Sequence, residues 1–169
     1  AFFLTVAPAF RSFEALATTL YASSTLGIVA LAVGLLMIGG EFDLSSGVAV
    51  TTAALAATML NYNLHLNSWV GAFMALGISL AIGALNGYLV TRTGIDSFLI
   101  TLAAFLMLQG LNLAVTKLVT GQVATPIISD MEGFPSAHVV FAGTFDIGGV
   151  TLNVTVLWWL LLVAIASFV

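Results

Sequence analysis

The chain has 169 residues, 61% of them hydrophobic and 6% charged, with a formal net charge of −4. A soluble domain carries about 25% charged residues, so this composition excludes a water-facing surface and places the chain among integral membrane proteins. Arg11, Arg92 and Lys117 are too few and too scattered for a nucleic-acid patch, and the absence of cysteine excludes a disulfide framework, a zinc–thiolate cluster and a thiol nucleophile.

A helix that crosses a bilayer needs roughly 20 mostly apolar residues. Residues 1–8 read as the tail of a first span closed by Pro8, without the basic segment of a signal peptide. Residues 9–20, with Arg11 and Glu14, read as a short connection. The second span is predicted from Tyr21 to Ile38, and GGEFDLSS interrupts it. GVAVTTAALAATML is a third apolar stretch, barely long enough to cross. NYNLHLNS is a polar loop, and the fourth span runs from Trp69 to Val90. RTGID is a tight loop before a fifth span, Ser97 to Val119.

Residues 120–150 form the one long non-membrane segment, holding Pro126, Asp130, Glu132, Pro135 and His138. Within it, TFDIGGVTLNV alternates apolar and polar about Gly148-Gly149, which predicts a β-hairpin with a two-residue primed turn. A last span starts near Val154. The expected architecture is an all-α polytopic transmembrane bundle of five to six spans with a short outward hairpin. Residues 1–169 would be part of a single transmembrane domain, truncated at both ends.

Small residues four apart predict close helix packing, since van der Waals contact drives association in lipid. Ala75, Ser79, Gly83 and Gly87 form one such row, and Ala49, Ala53 and Ala57 another. The positive-inside rule gives no orientation from three cations. Span parity gives a consistent one: GGEFDLSS and RTGID face the cytoplasm, while NYNLHLNS and residues 120–150 face outward.

No P-loop, GxSxG or HExxH motif is present, so the chain has no sequence for ATP, acyl-transfer or zinc-hydrolase chemistry of its own. His65 and His138 each stand alone in loops, and no metal site is expected. Polar groups inside spans are more informative, because lipid makes them costly unless they face protein or water. Gln109 and Asn112 lie three apart on one helix face, and Asn86 sits in the fourth span. Two readings stand side by side: a path for a hydroxylated solute, or interhelical hydrogen bonds worth roughly 0.6 kcal/mol each. For Asn86, beside Gly83 and Gly87, the packing reading is preferred. The spans hold almost no ionisable residue outside the break, which argues against proton or sodium coupling.

The break itself carries two carboxylates, Glu41 and Asp43. Gly39-Gly40 can end one helix, and Asp43 or Ser45 can cap the next. GGEFDLSSGVAVTTAALAATML resembles the G-x-D-L-S-x-G signature of sugar permeases of bacterial ABC importers, the ribose type. ALNGYLVTRTGIDSFLITLAAFLMLQGLNL resembles that family's following block. The matching positions are Gly40, Asp43, Leu44, Ser45 and Gly47, then Asn86, Gly87, Phe98, Thr101 and Leu102. Two departures stand out: Glu41 replaces an aliphatic residue, and Asp96, itself able to cap a helix, replaces proline.

The resemblance implies a non-catalytic subunit of the bacterial cytoplasmic membrane that dimerises with a second permease copy. It would work with an ABC ATPase inside, which holds the ATP, and an extracytoplasmic solute-binding protein outside, with residues 120–150 as the candidate contact. A stand-alone facilitator or secondary transporter and a non-transport membrane scaffold are the alternatives.

Overall fold

The computed structural model describes residues 12–125, 127 and 129–168. The first helix, α1, runs Phe13–Ile38 with Glu14 in its first turn, where the helix dipole favours a carboxylate. The Ser12 hydroxyl accepts from the Ala15 N–H at 3.1 Å and so caps it. The connection expected over residues 9–20 is therefore helical from Phe13 on, because Ser12 and Glu14 together supply an N-terminal signal. The span tail expected at 1–8 lies outside the described residues, as does Pro126.

The remaining elements are α2 (Ser46–Leu64), α3 (Ser68–Thr93), α4 (Ser97–Thr120), α5 (Phe134–Ala142), β1 (Thr144–Ile147), β2 (Val150–Asn153) and α6 (Val154–Ala166). The fold is all-α apart from the β1–β2 hairpin. Three helices, α1, α3 and α4, are long and apolar enough to cross a membrane. The 19-residue α2 is more polar, carrying Thr51, Thr52, Thr58, Asn61 and Asn63. It is also the helix best covered by protein, packing against both α3 and α4. A helix enclosed by its neighbours has no need of a lipid-compatible surface all round.

The described residues fall into two compact units. One is Leu36–Pro135. Its core is the Ala49, Ala53 and Ala57 row of α2, all buried, together with Val48 and Met59. The second small-residue row does not pack in the same way. Ala75 and Ser79 are partly covered, but Gly83 and Gly87 are exposed, with no atom of another helix within 4 Å of where a Cβ would stand. The cause is helical geometry. A four-residue step overshoots a turn by about 40°, so a row that starts at the buried Gly71 has rotated about 160° by Gly87.

At Gly71 the helix α3 comes close to α2. A Cβ there would stand 3.1 Å from the Asn61 side-chain amide, and Asn61 is 2% exposed. Replacing Gly71 with leucine is expected to cost about 1–3 kcal/mol through overpacking. Thermal unfolding of the detergent-solubilised protein measures it, and an unchanged midpoint would show that the two helices are not in contact.

The polar loop expected at NYNLHLNS is mostly helix, since α2 continues to Leu64. His65 adopts the left-handed C-cap conformation, its N–H bonding to the Asn61 carbonyl. With its amide nitrogen turned toward the carbonyls of Leu66 and Asn67, at 3.0 and 3.3 Å, Asn61 holds the chain reversal. The Ser68 N–H then reaches the Glu132 carbonyl at 2.8 Å. At the opposite ends of these helices the Phe42 N–H bonds to the Ser97 hydroxyl. The 61–68 turn thus shares a side with residues 131–133, and the 39–45 break shares the other with the 94–96 turn, as span parity requires.

The second unit contains the described residues up to Leu35 and those from Ser136 on. Here α1 approaches α6 so closely at Gly27 that a Cβ would overlap the Trp159 indole. The helix α5 was not expected from sequence; its proline, Pro135, stands in the first turn, where a missing N–H leaves no bond unmade. The hairpin pairs Phe145 with Leu152 and Ile147 with Val150. Gly148 and Gly149 take φ of 63° and 87°, the pair of positive values that a primed type I turn demands. Asn153 caps α6 by accepting from the Thr155 N–H at 2.9 Å, and Trp158 Nε1 donates to the Val140 carbonyl.

Candidate functional site

The break between α1 and α2 is built from side-chain oxygens. Gly40, at φ 85°, turns the chain out of α1, and residues 41–43 run outside any helix. Away from water, backbone N–H groups in such a segment need partners within the protein. The Phe42 N–H donates to Ser97 Oγ at 3.0 Å, and the Leu44 N–H to Thr101 Oγ1 at 3.2 Å. The Thr101 hydroxyl in turn donates to the Ser97 carbonyl at 2.8 Å. Phe42 and Phe98 place their rings 6.3 Å apart over the same contact. Ser97 and Thr101 stand on α4 because Asp96 caps that helix, accepting from the Phe98 N–H at 2.8 Å.

Asp43 turns back on its own chain. Its Oδ1 accepts from both the N–H and the hydroxyl of Ser45, each at 2.7 Å. Asn86 then donates from Nδ2 to Ser45 Oγ at 2.8 Å. Asn86, Ser45 and Asp43 form a single chain of donors and acceptors, with Ser45 1% and Asn86 7% exposed. Ser45 occupies the N-cap position of α2 but its hydroxyl makes no capping bond; that hydroxyl is already committed to Asp43. Glu41 is exposed, beside a groove of about 200 Å3 that Asp43, Asn86, Gly87 and Thr101 help to line.

A larger groove of about 460 Å3 opens between α2 and α4 in the same unit. Leu44 and Gly47 lie along it at the break, and Gln109, Asn112 and Thr116 line it from α4. Positions 109, 112 and 116 are spaced by three and four, so they share one helix face. Gln109 is exposed and Asn112 partly so, and neither side chain makes a hydrogen bond among the described residues. The structure therefore brings Gln109 and Asn112 together and sets Asn86 apart, on α3 against the break. Thr116 was not singled out from sequence. Its hydroxyl oxygen is buried with no hydrogen-bond partner, a state that costs about 1–3 kcal/mol.

Known proteins resemble the chain along most of its length. A family model described as the permease component of branched-chain amino acid transport systems matches residues 15–169. The ribose import permease protein RbsC of Escherichia coli K12 is 30% identical over 114 residues, 67% of this chain and 35% of the relative. The autoinducer 2 import system permease protein LsrD of Klebsiella pneumoniae is 29% identical over 142 residues, 80% of this chain and 41% of the relative. The xylose transport system permease protein XylH of Escherichia coli K12 is 27% identical over 154 residues, 89% of this chain and 37% of the relative. The chain thus spans roughly two fifths or less of the length of these relatives. No solved structure matches it. With break, capped helices and apolar spans in place, and with a match over far more than half its length, the chain belongs to the family whose model is described as the permease component of branched-chain amino acid transport systems.

Proposed function

We propose that the chain is part of the membrane subunit of an ATP-driven importer and that it lines the path of a monosaccharide or related small polar solute. One observation carries the reading: two amides, Gln109 and Asn112, unbonded within the described residues, face a groove on a largely apolar helix. A group that only joined helices would have its partner on a neighbouring helix; a group that serves a passing solute keeps its bond free. Relatives named for ribose and xylose carriage support a small polyhydroxylated solute.

In this reading the subunit works in the bacterial cytoplasmic membrane as a dimer. An ABC ATPase on the inner side holds the ATP, and a solute-binding protein delivers from the outer side. ATP binding on that partner biases the helix bundle between two packings by its different affinity for each. The chain's own residues bind and orient; they make no covalent bond.

ATP dependence tests the proposal. Uptake of labelled ribose or xylose into cells that carry the whole transporter is expected to fall to background when the partner ATPase is inactivated by substitution of its phosphate-binding lysine. Uptake that persists would identify a facilitator instead.

A further inference from the structure

We propose that Thr116 is a third solute-bonding position of the α2–α4 groove, its hydroxyl pairing with a hydroxyl of the solute. The inference rests on the reading of that groove as the solute path. It starts from a contrast among the helical threonines. Thr18, Thr19, Thr25, Thr51, Thr52, Thr91, Thr93, Thr101 and Thr120 all bond to the carbonyl four residues back. In an apolar setting that local bond is the ordinary way to satisfy a threonine. Thr58 and Thr116 do not make it, and of the two Thr116 is the buried one. The residue is 2% exposed and its oxygen has no partner.

Its place in the fold gives the exception a use. Thr116 lies one turn beyond Asn112 and two beyond Gln109 on the same face, so the three form a polar row along one wall of the groove. Their chemistry is complementary. Each amide offers both donors and an acceptor, and the hydroxyl offers one donor and two acceptor sites. A polyol matches such a row because every one of its hydroxyls needs both kinds of partner. The groove, at about 460 Å3, falls in the range of small-molecule sites. Valine would fill the same space as Thr116 without leaving an orphan oxygen, so the hydroxyl contributes nothing to packing.

The test uses the complete transporter in cells, with labelled ribose and xylose as probes and 2-deoxyribose as the analogue lacking a hydroxyl. Thr116→Val is expected to lower uptake of the better probe about tenfold, the value of one good hydrogen bond, and Thr116→Ser to restore most of it. The thermal midpoint of Thr116→Val should equal or exceed that of the unmodified protein, which separates a solute contact from a structural one. The valine variant should also discriminate less between ribose and 2-deoxyribose if ribose is the better probe. Wild-type uptake of ribose or xylose with no loss in Thr116→Val overturns the Thr116 assignment alone. A lower midpoint in Thr116→Val, with uptake falling only in proportion to the protein present, also overturns it. Absence of wild-type uptake of either sugar overturns the monosaccharide reading of the groove and Thr116 with it.

Discussion

Replacing Asp43 with alanine is expected to destabilise the protein by about 2–3 kcal/mol, the most damaging single change in the break. One carboxylate oxygen satisfies both the N–H and the hydroxyl of Ser45, each at 2.7 Å. Hydrogen bonds to a charged group contribute about 1.5–3 kcal/mol, and a buried partner left unmatched adds its desolvation cost. Ser45 is 1% exposed, so water does not replace the lost acceptor. The effect should be partly non-additive with Ser45→Ala, because both changes remove the hydroxyl–carboxylate bond, while the bond from the Ser45 backbone N–H is lost only with Asp43. Thermal unfolding of the purified protein in detergent supplies all three values. If Asp43→Ala leaves the midpoint where it was, or if the two changes simply add, the Asn86–Ser45–Asp43 chain does not hold the break.

The double change Gln109→Leu with Asn112→Leu is expected to reduce solute uptake at least tenfold while leaving abundance in the membrane unchanged. Each amide supplies hydrogen bonds to a solute that leucine cannot, and the loss of two contacts compounds. Neither amide bonds to another described residue, so no intrachain bond is lost and the thermal midpoint should hold or rise. An interhelical role gives the opposite pattern, with stability falling by roughly 0.6 kcal/mol for each lost bond. Uptake assays paired with immunoblots of the membrane fraction distinguish the two. Uptake at the unmodified level would return both residues to packing.

Much of this architecture was legible because its signals are local. Long apolar runs marked α1, α3 and α4, glycine pairs marked the break and the hairpin turn, and Asp96 announced its own helix. What escaped depended on partners far away in sequence. Asn61 reads as a loop residue because it is polar, yet it is buried at the α2–α3 reversal. Ser97 reads as an ordinary helix start, but its hydroxyl serves the Phe42 N–H. Thr116 is indistinguishable by type from the nine threonines bonded to their own helix, and its buried, unpartnered hydroxyl is what sets it apart. The Gly83–Gly87 row has the spacing for packing, but within this unit the helix twist turns it away from α2.

The partners that complete the break impose an order on synthesis. Phe42 and Leu44 find their acceptors 55 and 57 residues later, at Ser97 and Thr101. Until the ribosome has delivered the start of α4 to the membrane, those two N–H groups have no protein oxygen in this network to meet. They must remain hydrated, because hydrocarbon would leave them unbonded at a cost of several kcal/mol each. The segment from Gly40 to Leu44 therefore has its full set of bonds only with α4 in place. It seats only when α4 arrives, so the bend between the first two helices is among the last features of this unit to be completed.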